Sequence, residues 1–380
     1  MKFSNDSLRG RANKPLAKLA VFCLAVVAAG AFLIGGHAQS SSPAGSASPT
    51  ATVKILPPRP AEACCGYPFP RETDAEVADG DVHRVHYEDG HVMFIEVSNP
   101  PLLHVNMHGH PFTSVFANDS TTGPPNPDAP KVPQKLVNGL LDPESSYNDM
   151  GGTRAAPPAG LQWPTCTPAS PQAPHEGPFD TGMAPNHFFR LEMLHVEGND
   201  FQAHWKEWYP EMLKPVKPVA DLTPAQASAP KLSEQWPYAV AYDAIYAAPN
   251  NYKLLFEDNK VRLVEVTIRP GETTPMAGNP YPAVLAYNGN LDESKVTETW
   301  LDPASPLNGK GGGHAGPPKN HNLTSPTCGT IAPESPHKTH NGGSAPIHYY
   351  RIEYKRIDGD QLAANWKTWY PWMQYLHFMR

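Results

Sequence analysis

The sequence predicts an all-β protein made of two tandem copies of one unit. Three features carry that reading: an excess of proline, short runs alternating apolar and polar residues, and an internal duplication. Of the 380 residues, 45 are proline, more than twice the roughly 5% share of an average protein. Proline lacks a backbone donor and breaks helices, so this composition favours short strands joined by long irregular loops. A hydrophobic content of 40% over this length is enough for two buried cores.

Taken in order, the chain opens with an export signal. Lys2, Arg9, Arg11, Lys14 and Lys18 precede the apolar run LAVFCLAVVAAGAFLIGG at 19–36, and the following GHAQS suits cleavage after Ala38. Residues 1–38 are then a signal peptide and the protein is periplasmic or secreted. The alternative is an uncleaved membrane anchor, because the apolar run reaches the shortest spanning lengths of about 17 residues. Residues 39–60 are small, polar and proline-rich, the composition of a flexible tether.

The repeat begins near residue 73. TDAEVADGDVHRVHYEDGHVMFIEV aligns with YDAIYAAPNNYKLLFEDNKVRLVEV at an offset of 169. A second block, 183–212, lies over 344–373 at an offset of 161 with 13 of 30 positions identical, which establishes a duplication. The expected organisation is a first unit over 61–215, a connector over 216–235 and a second unit over 236–380. Within each unit HVMFIEV and KVRLVEV, then FFRLEMLHV and YYRIEYKRI, read as strands, with EDG and EDN as turns. Residues 118–174 and 289–336 are crowded with proline, glycine and serine and read as long loops.

Four cysteines remain after the signal: Cys64, Cys65, Cys166 and Cys328. An even number in an oxidising compartment reads as two disulfides. Cys166 and Cys328 both sit in PTC triplets, one in each half. The economical pairing joins each member of the vicinal pair to one of them; a Cys64–Cys65 bond with a Cys166–Cys328 bond is the other. No C-x-x-C spacing supports a thiol redox or zinc site.

The chemistry concentrates in NMHGHPF at 106–112. Histidines at i and i+2 on a strand share a face, so His108 and His110 can bind one metal ion together. A third ligand must come from elsewhere, and His175 in APHEGPF is the candidate, since His337 in SPHKTHNGG occupies the corresponding place in the second unit. Across the first motif, however, Ala277 and Asn279 replace both histidines.

These motifs resemble those of the cupin superfamily, and the duplication resembles a bicupin. MHGHPF is similar to the family's first motif, and His337 with Asn341 to its second. The resemblance implies two jelly-roll barrels, each with a site in its mouth. It also implies a glutamate ligand, but that position falls at Ser114 or Val115, leaving a three-histidine set similar to that of thiol dioxygenase cupins. The expected cofactor is one divalent metal, iron, manganese or zinc, at His108, His110 and His175 in the first barrel. Ala277, Asn279 and His337 mark a degenerate second site.

Other residues have plainer explanations. His104 would share the face of His108 if the strand were unbroken, as a neighbour of the site or a surface group. His187 with His348, Arg190 with Arg351, and Glu192 with Glu353 recur in both units and read as structural. So do WKEWYP and WKTWYP, whose Trp205, Trp208, Tyr209, Trp366, Trp369 and Tyr370 fit packing better than ligand stacking. Glu176 beside His175 would point the other way on a strand. A net charge of −7 with scattered basic residues excludes nucleic acid as a partner. No serine-hydrolase elbow, P-loop or dinucleotide fingerprint is present. The expected partner is a small polar molecule, acted on or merely bound, and exposed strand edges admit a homodimer.

Overall fold

The computed structural model describes residues 66–120, 139–142, 144–148, 163–177, 184–289, 291, 295–308 and 326–376. The export signal or anchor, the tether, Cys64 and Cys65 lie outside the described residues.

The described residues are predominantly β and form two tandem units of jelly-roll form. The first holds β1 (His83–Glu88), β2 (Val92–Asn99), β3 (Val105–His110), β4 (Thr113–Asn118), β5 (Gly139–Leu140), β6 (Thr165–Ala169), β7 (Gln172–Gly177) and β8 (Asn186–Met193). The second repeats the series with β9 (Tyr252–Glu257), β10 (Val261–Ile268), β11 (Ala277–Asn279), β12 (Ala283–Tyr287), β13 (Val296–Trp300), β14 (Thr327–Ile331), β15 (Glu334–Asn341) and β16 (Ile347–Tyr354). Each unit pairs a five-stranded sheet with a three-stranded one, in the orders β1-β2-β8-β4-β6 and β3-β7-β5, then β9-β10-β16-β12-β14 and β11-β15-β13. All the paired strands are antiparallel. The expectation of long loops at 118–174 and 289–336 is corrected in part. Those stretches contain β5, β6, β13 and β14 and the starts of β7 and β15, whose proline and glycine content hid them: β6 carries Pro168 and β14 carries Gly329.

The near-continuous apolar run of β2 follows from burial on both faces. Val92 and Phe94 enter a core shared with Val261, Leu263 and Ile352 of the second unit. Met93, Ile95 and Val97 point the opposite way, into the interior of their own barrel with Phe116 and Phe188. The two five-stranded sheets therefore pack against each other, and each barrel also has its own filling. Burying one such apolar side chain stabilises by about 1.5–3 kcal/mol.

Short helices complete the chain: α1 (Ala75–Ala78), α2 (Phe201–Trp208), α3 (Pro224–Ala227), α4 (Ala244–Ala247) and α5 (Leu362–Trp369). The segments around α2 and α5 are exchanged between units. After α2, Tyr209 bonds Glu197 and packs its ring 4.6 Å from His348 and 4.3 Å from His91. After α5, Tyr370 donates to Asp358 and stacks 3.9 Å from His187 of the first unit. Gly359 donates to the Asp119 carbonyl, and Gly198 to the Asn288 carbonyl, so the exchange is reciprocal. Lys260 reaches both Asp119 and Asp358 and joins the units by a buried ion cluster. The recurrence of the tyrosine that ends each motif, Tyr209 and Tyr370, thus reflects inter-unit packing.

Cys166 and Cys328 are bonded to each other, with 6.2 Å between their Cα atoms. This corrects the pairing that joined each to a member of the vicinal pair. The two are equivalent positions of the repeat, and equivalent positions meet only near an approximate two-fold axis. β6 and β14 lie at matching edges of the two large sheets, so the bond ties unit to unit. Such a bond belongs with an oxidising compartment. Among the described residues no helix is long and apolar enough to cross a membrane.

Candidate metal centre

β3 lies against β7 in the small sheet of the first unit, and the register sets His108 opposite His175. His108 and His110 are both buried on the barrel side, as their i, i+2 spacing requires. Gly109 between them is a contact glycine: a Cβ there would land on the Tyr67 hydroxyl, which bonds the Gln172 carbonyl. The second unit keeps the same device. A Cβ on Gly278 would lie 2.9 Å from Trp236, whose indole donates to the Glu334 carbonyl at 2.8 Å. The structural glycine thus survives in both motifs, while both flanking imidazoles are replaced.

A fourth imidazole joins the three expected from sequence. His83, at the start of β1, is 5% exposed, and its ring lies 4.5 Å from that of His108 and 5.3 Å from that of His110. The candidate ligand atoms of His83, His108 and His110 all fall within 4.8 Å of one another. His175 completes the wall, its ring 4.7 Å from His108 and 6.0 Å from His110. The signal for His83 was present in the duplication. Its counterpart at the 169 offset is Tyr252, so it is lost from the second unit together with the first-motif pair.

Each ring is oriented from behind through Nδ1. The oxygens are those of the Asn106 carbonyl for His108 at 2.7 Å, the Ala173 carbonyl for His175 at 2.8 Å and the Asp79 carbonyl for His83 at 3.4 Å. For His110 the partner is the Glu192 carboxylate at 3.1 Å. Anchoring Nδ1 on an oxygen fixes the ring and turns the Nε2 edge away from it, the arrangement that outer partners impose on metal-binding histidines. Burial, aided by neighbouring His108 and Arg190, pushes His83 well below the usual imidazole range. Burial, then Arg190 and His108, does the same for His110. Neutral imidazole is the form that ligates.

No carboxylate occupies the ligand position implied by the resemblance, since Ser114 and Val115 stand there. Ser114 instead pairs across β4 and β8 with Glu192, which serves His110 from behind and sits 2.9 Å from the Arg190 guanidinium. The pair repeats in the second unit as Arg351 and Glu353 at 2.8 Å, as a structural role demands. His187 and His348 likewise bond carboxylates, the buried Glu96 at 2.8 Å and the partly buried Glu265 at 3.2 Å. His104 lies just before β3 and is exposed, and Glu176 is only partly buried. The open space among the four imidazoles is about 10 Å³, close to the minimum for one water-sized occupant.

In the second unit Tyr252, Ala277 and Asn279 stand where His83, His108 and His110 stand in the first, and only His337 remains. Its Nδ1 bonds the Ser335 carbonyl at 2.8 Å, and its ring packs 4.3 Å from Trp300.

No family model matches the chain, and no curated protein matches it. Among solved structures it is similar to AerE from Microcystis aeruginosa, at 11% identity over 72% of this chain and 98% of that one, with a TM-score of 0.18. It is similar to a mutant of Bacillus subtilis oxalate decarboxylase at 9% identity over 69% and 68%, TM-score 0.19. A salicylate 1,2-dioxygenase from Pseudoaminobacter salicylatoxidans matches at 9% identity over 70% and 69%, TM-score 0.17.

Proposed function

We propose that the protein is an exported bicupin that holds one divalent metal ion in its first unit, through His83, His108 and His110 with His175 beside them, and that acts on or binds a small polar molecule. One observation carries the reading: ligand atoms of three buried imidazoles lie within 4.8 Å of one another, each ring oriented by an oxygen on Nδ1. An all-nitrogen set favours zinc or iron over manganese, which prefers carboxylate and water. A divalent ion bound there supplies Lewis acidity and, if it is iron, a centre able to change oxidation state. The residues around it hold the imidazoles neutral, exclude water and keep the rings fixed.

The test is metal analysis of the purified mature protein after reconstitution. About one ion per chain is expected, in keeping with a single site, and it should be lost in His83→Ala, His108→Ala and His110→Ala but retained in His337→Ala. Absence of metal from the reconstituted parent chain sinks the reading.

A second reading, a non-catalytic closed site in a ligand-binding or structural envelope protein, is favoured by the small space of about 10 Å³ beside the rings. Structural sites fill all their coordination positions, whereas catalytic ones keep one open. Azide added to the cobalt-substituted protein separates the two. A change in the visible spectrum shows an open position and supports an enzyme; an unchanged spectrum supports the closed site.

A further inference from the structure

The roomier barrel is the one that keeps a single imidazole, His337, in its wall. A cavity of about 300 Å³ opens inside the second unit, the lower end of the range typical of small-molecule sites. Two of the residues that replace the histidine cluster line the space: Tyr252 stands for His83 and Asn279 for His110. Ile268, Leu291, Val296 and Ile347 give it apolar walls, Tyr252, Tyr287 and Tyr349 give it aromatic ones, and Asn279, Glu334 and Arg351 form its polar end.

That polar end has two unmatched atoms. Asn279 is 2% exposed and Arg351 is 1% exposed. Asn279 Nδ2 donates to Glu334 Oε2 at 2.8 Å, and Arg351 Nη1 donates to the same oxygen at 3.0 Å. Arg351 Nε is taken by Glu353 at 2.8 Å. This leaves Asn279 Oδ1, an acceptor, and Arg351 Nη2, a donor, buried with no hydrogen-bond partner. The amide orientation is fixed chemically, because a carboxylate can only accept and so selects Nδ2. Orphaned buried polar atoms are costly and point to an occupant.

The occupant must accept from a guanidinium and donate to an amide oxygen within one small region. A carboxylate does the first and not the second; an ammonium does the reverse. A hydroxyl does both. Charge agrees: the connected buried cluster holds three carboxylates, Asp243, Glu334 and Glu353, against two guanidiniums, Arg262 and Arg351, so no surplus positive charge awaits an anion. We infer that the second unit is a metal-free binding site for a neutral hydroxylated molecule about the size of a monosaccharide, with hydroxyls on Asn279 and Arg351 and its body between tyrosines. The inference is independent of the metal reading of the first unit.

Isothermal titration of the mature protein with D-glucose, D-galactose, D-xylose and myo-inositol, and with oxalate and succinate as anionic comparisons, tests it. At least one neutral polyol is expected to bind saturably at one per chain, with a dissociation constant of about 1 mM or tighter. Asn279→Leu, which removes the amide acceptor together with its bond to Glu334, should weaken that binding about tenfold or more, while His108→Ala leaves it unchanged. Val296→Trp, at the half-buried wall, should abolish it by filling the space and serves if Asn279→Leu fails to fold. Saturable binding of the anions in preference to every polyol, no saturable polyol binding at all, or polyol binding that survives Val296→Trp overturns the assignment. Loss of binding in His108→Ala overturns its location in the second unit.

Discussion

Removing the Cys166–Cys328 bond gives a stability change whose size follows from the chain itself. The bond closes a loop between residues 162 apart in sequence. In the chain-entropy treatment, cross-linking a loop of that length restricts the unfolded ensemble by about 5 kcal/mol at 25 °C, an upper figure because native strain and residual structure subtract from it. The bond also sits between the two large sheets, where both sulfur-bearing side chains pack against the shared core. Alanine at both positions removes the cross-link and a little packing. Urea denaturation followed by fluorescence is the assay, comparing the parent chain, the parent chain with reductant and Cys166→Ala/Cys328→Ala. The parent should lose about 2–5 kcal/mol in each comparison. Non-reducing peptide mapping should recover the two cysteines in one linked fragment. A linked fragment between Cys166 or Cys328 and the vicinal pair, or a loss below about 1 kcal/mol, would refute the reasoning.

Glu192→Gln should weaken metal retention by about 10–100-fold, the usual cost of losing an outer partner of a ligating histidine, whereas Glu353→Gln in the second unit should not; competition with a chelator reads both, and equal effects would sink the assignment of Glu192 to His110. Gly109→Ala should cost about 1–3 kcal/mol by overpacking, because its methyl displaces the Tyr67 hydroxyl, and an unchanged denaturation midpoint would contradict that contact. The pH profile has a definite sign. Burial alone would lower the His348 pKa, but Glu197 and Glu265 outweigh it and raise it from 6.5 to about 10, so its contribution is full below pH 6.5 and lost as the pH rises toward 10. Burial would raise Glu265 and Glu96, but the histidines bonded to them hold both at about 2 against an ordinary 4.5, so their contributions are present above pH 4.5 and lost as the pH falls toward 2. Stability measured across this range should fall on both sides, by at most about 1.4 kcal/mol per pH unit for one group, and His348→Gln should flatten the alkaline limb.

The duplicated architecture was legible because both copies kept their alternation, turns and aromatic motifs. His108 and His110 were legible because strand geometry couples i with i+2, and His175 because its repeat partner survives. His83 was hidden by distance in sequence: nothing in DVHRVH sets it apart from His86, which instead bonds Glu96 at 2.9 Å. Only the comparison of Tyr252 with His83, read together with Ala277 and Asn279, separates the two. The Cys166–Cys328 bond is only the second of the two pairings the sequence allows, because spacing does not reveal that the axis between the halves brings equivalent residues together. The cavity of the second unit has no sequence signal, since its volume depends on how Ile268, Val296, Ile347 and the tyrosines pack in three dimensions.

The exchanged segments make each unit dependent on the other during synthesis. When the first half leaves the ribosome, Val92, Phe94 and Leu191 have no surface to cover them, His187 awaits Tyr370, and Asp119 awaits Lys260, more than a hundred residues downstream. A first half made alone would therefore expose that apolar surface and leave those buried groups without their partners. A gene cut at the connector should yield two insoluble products that recover only on co-expression.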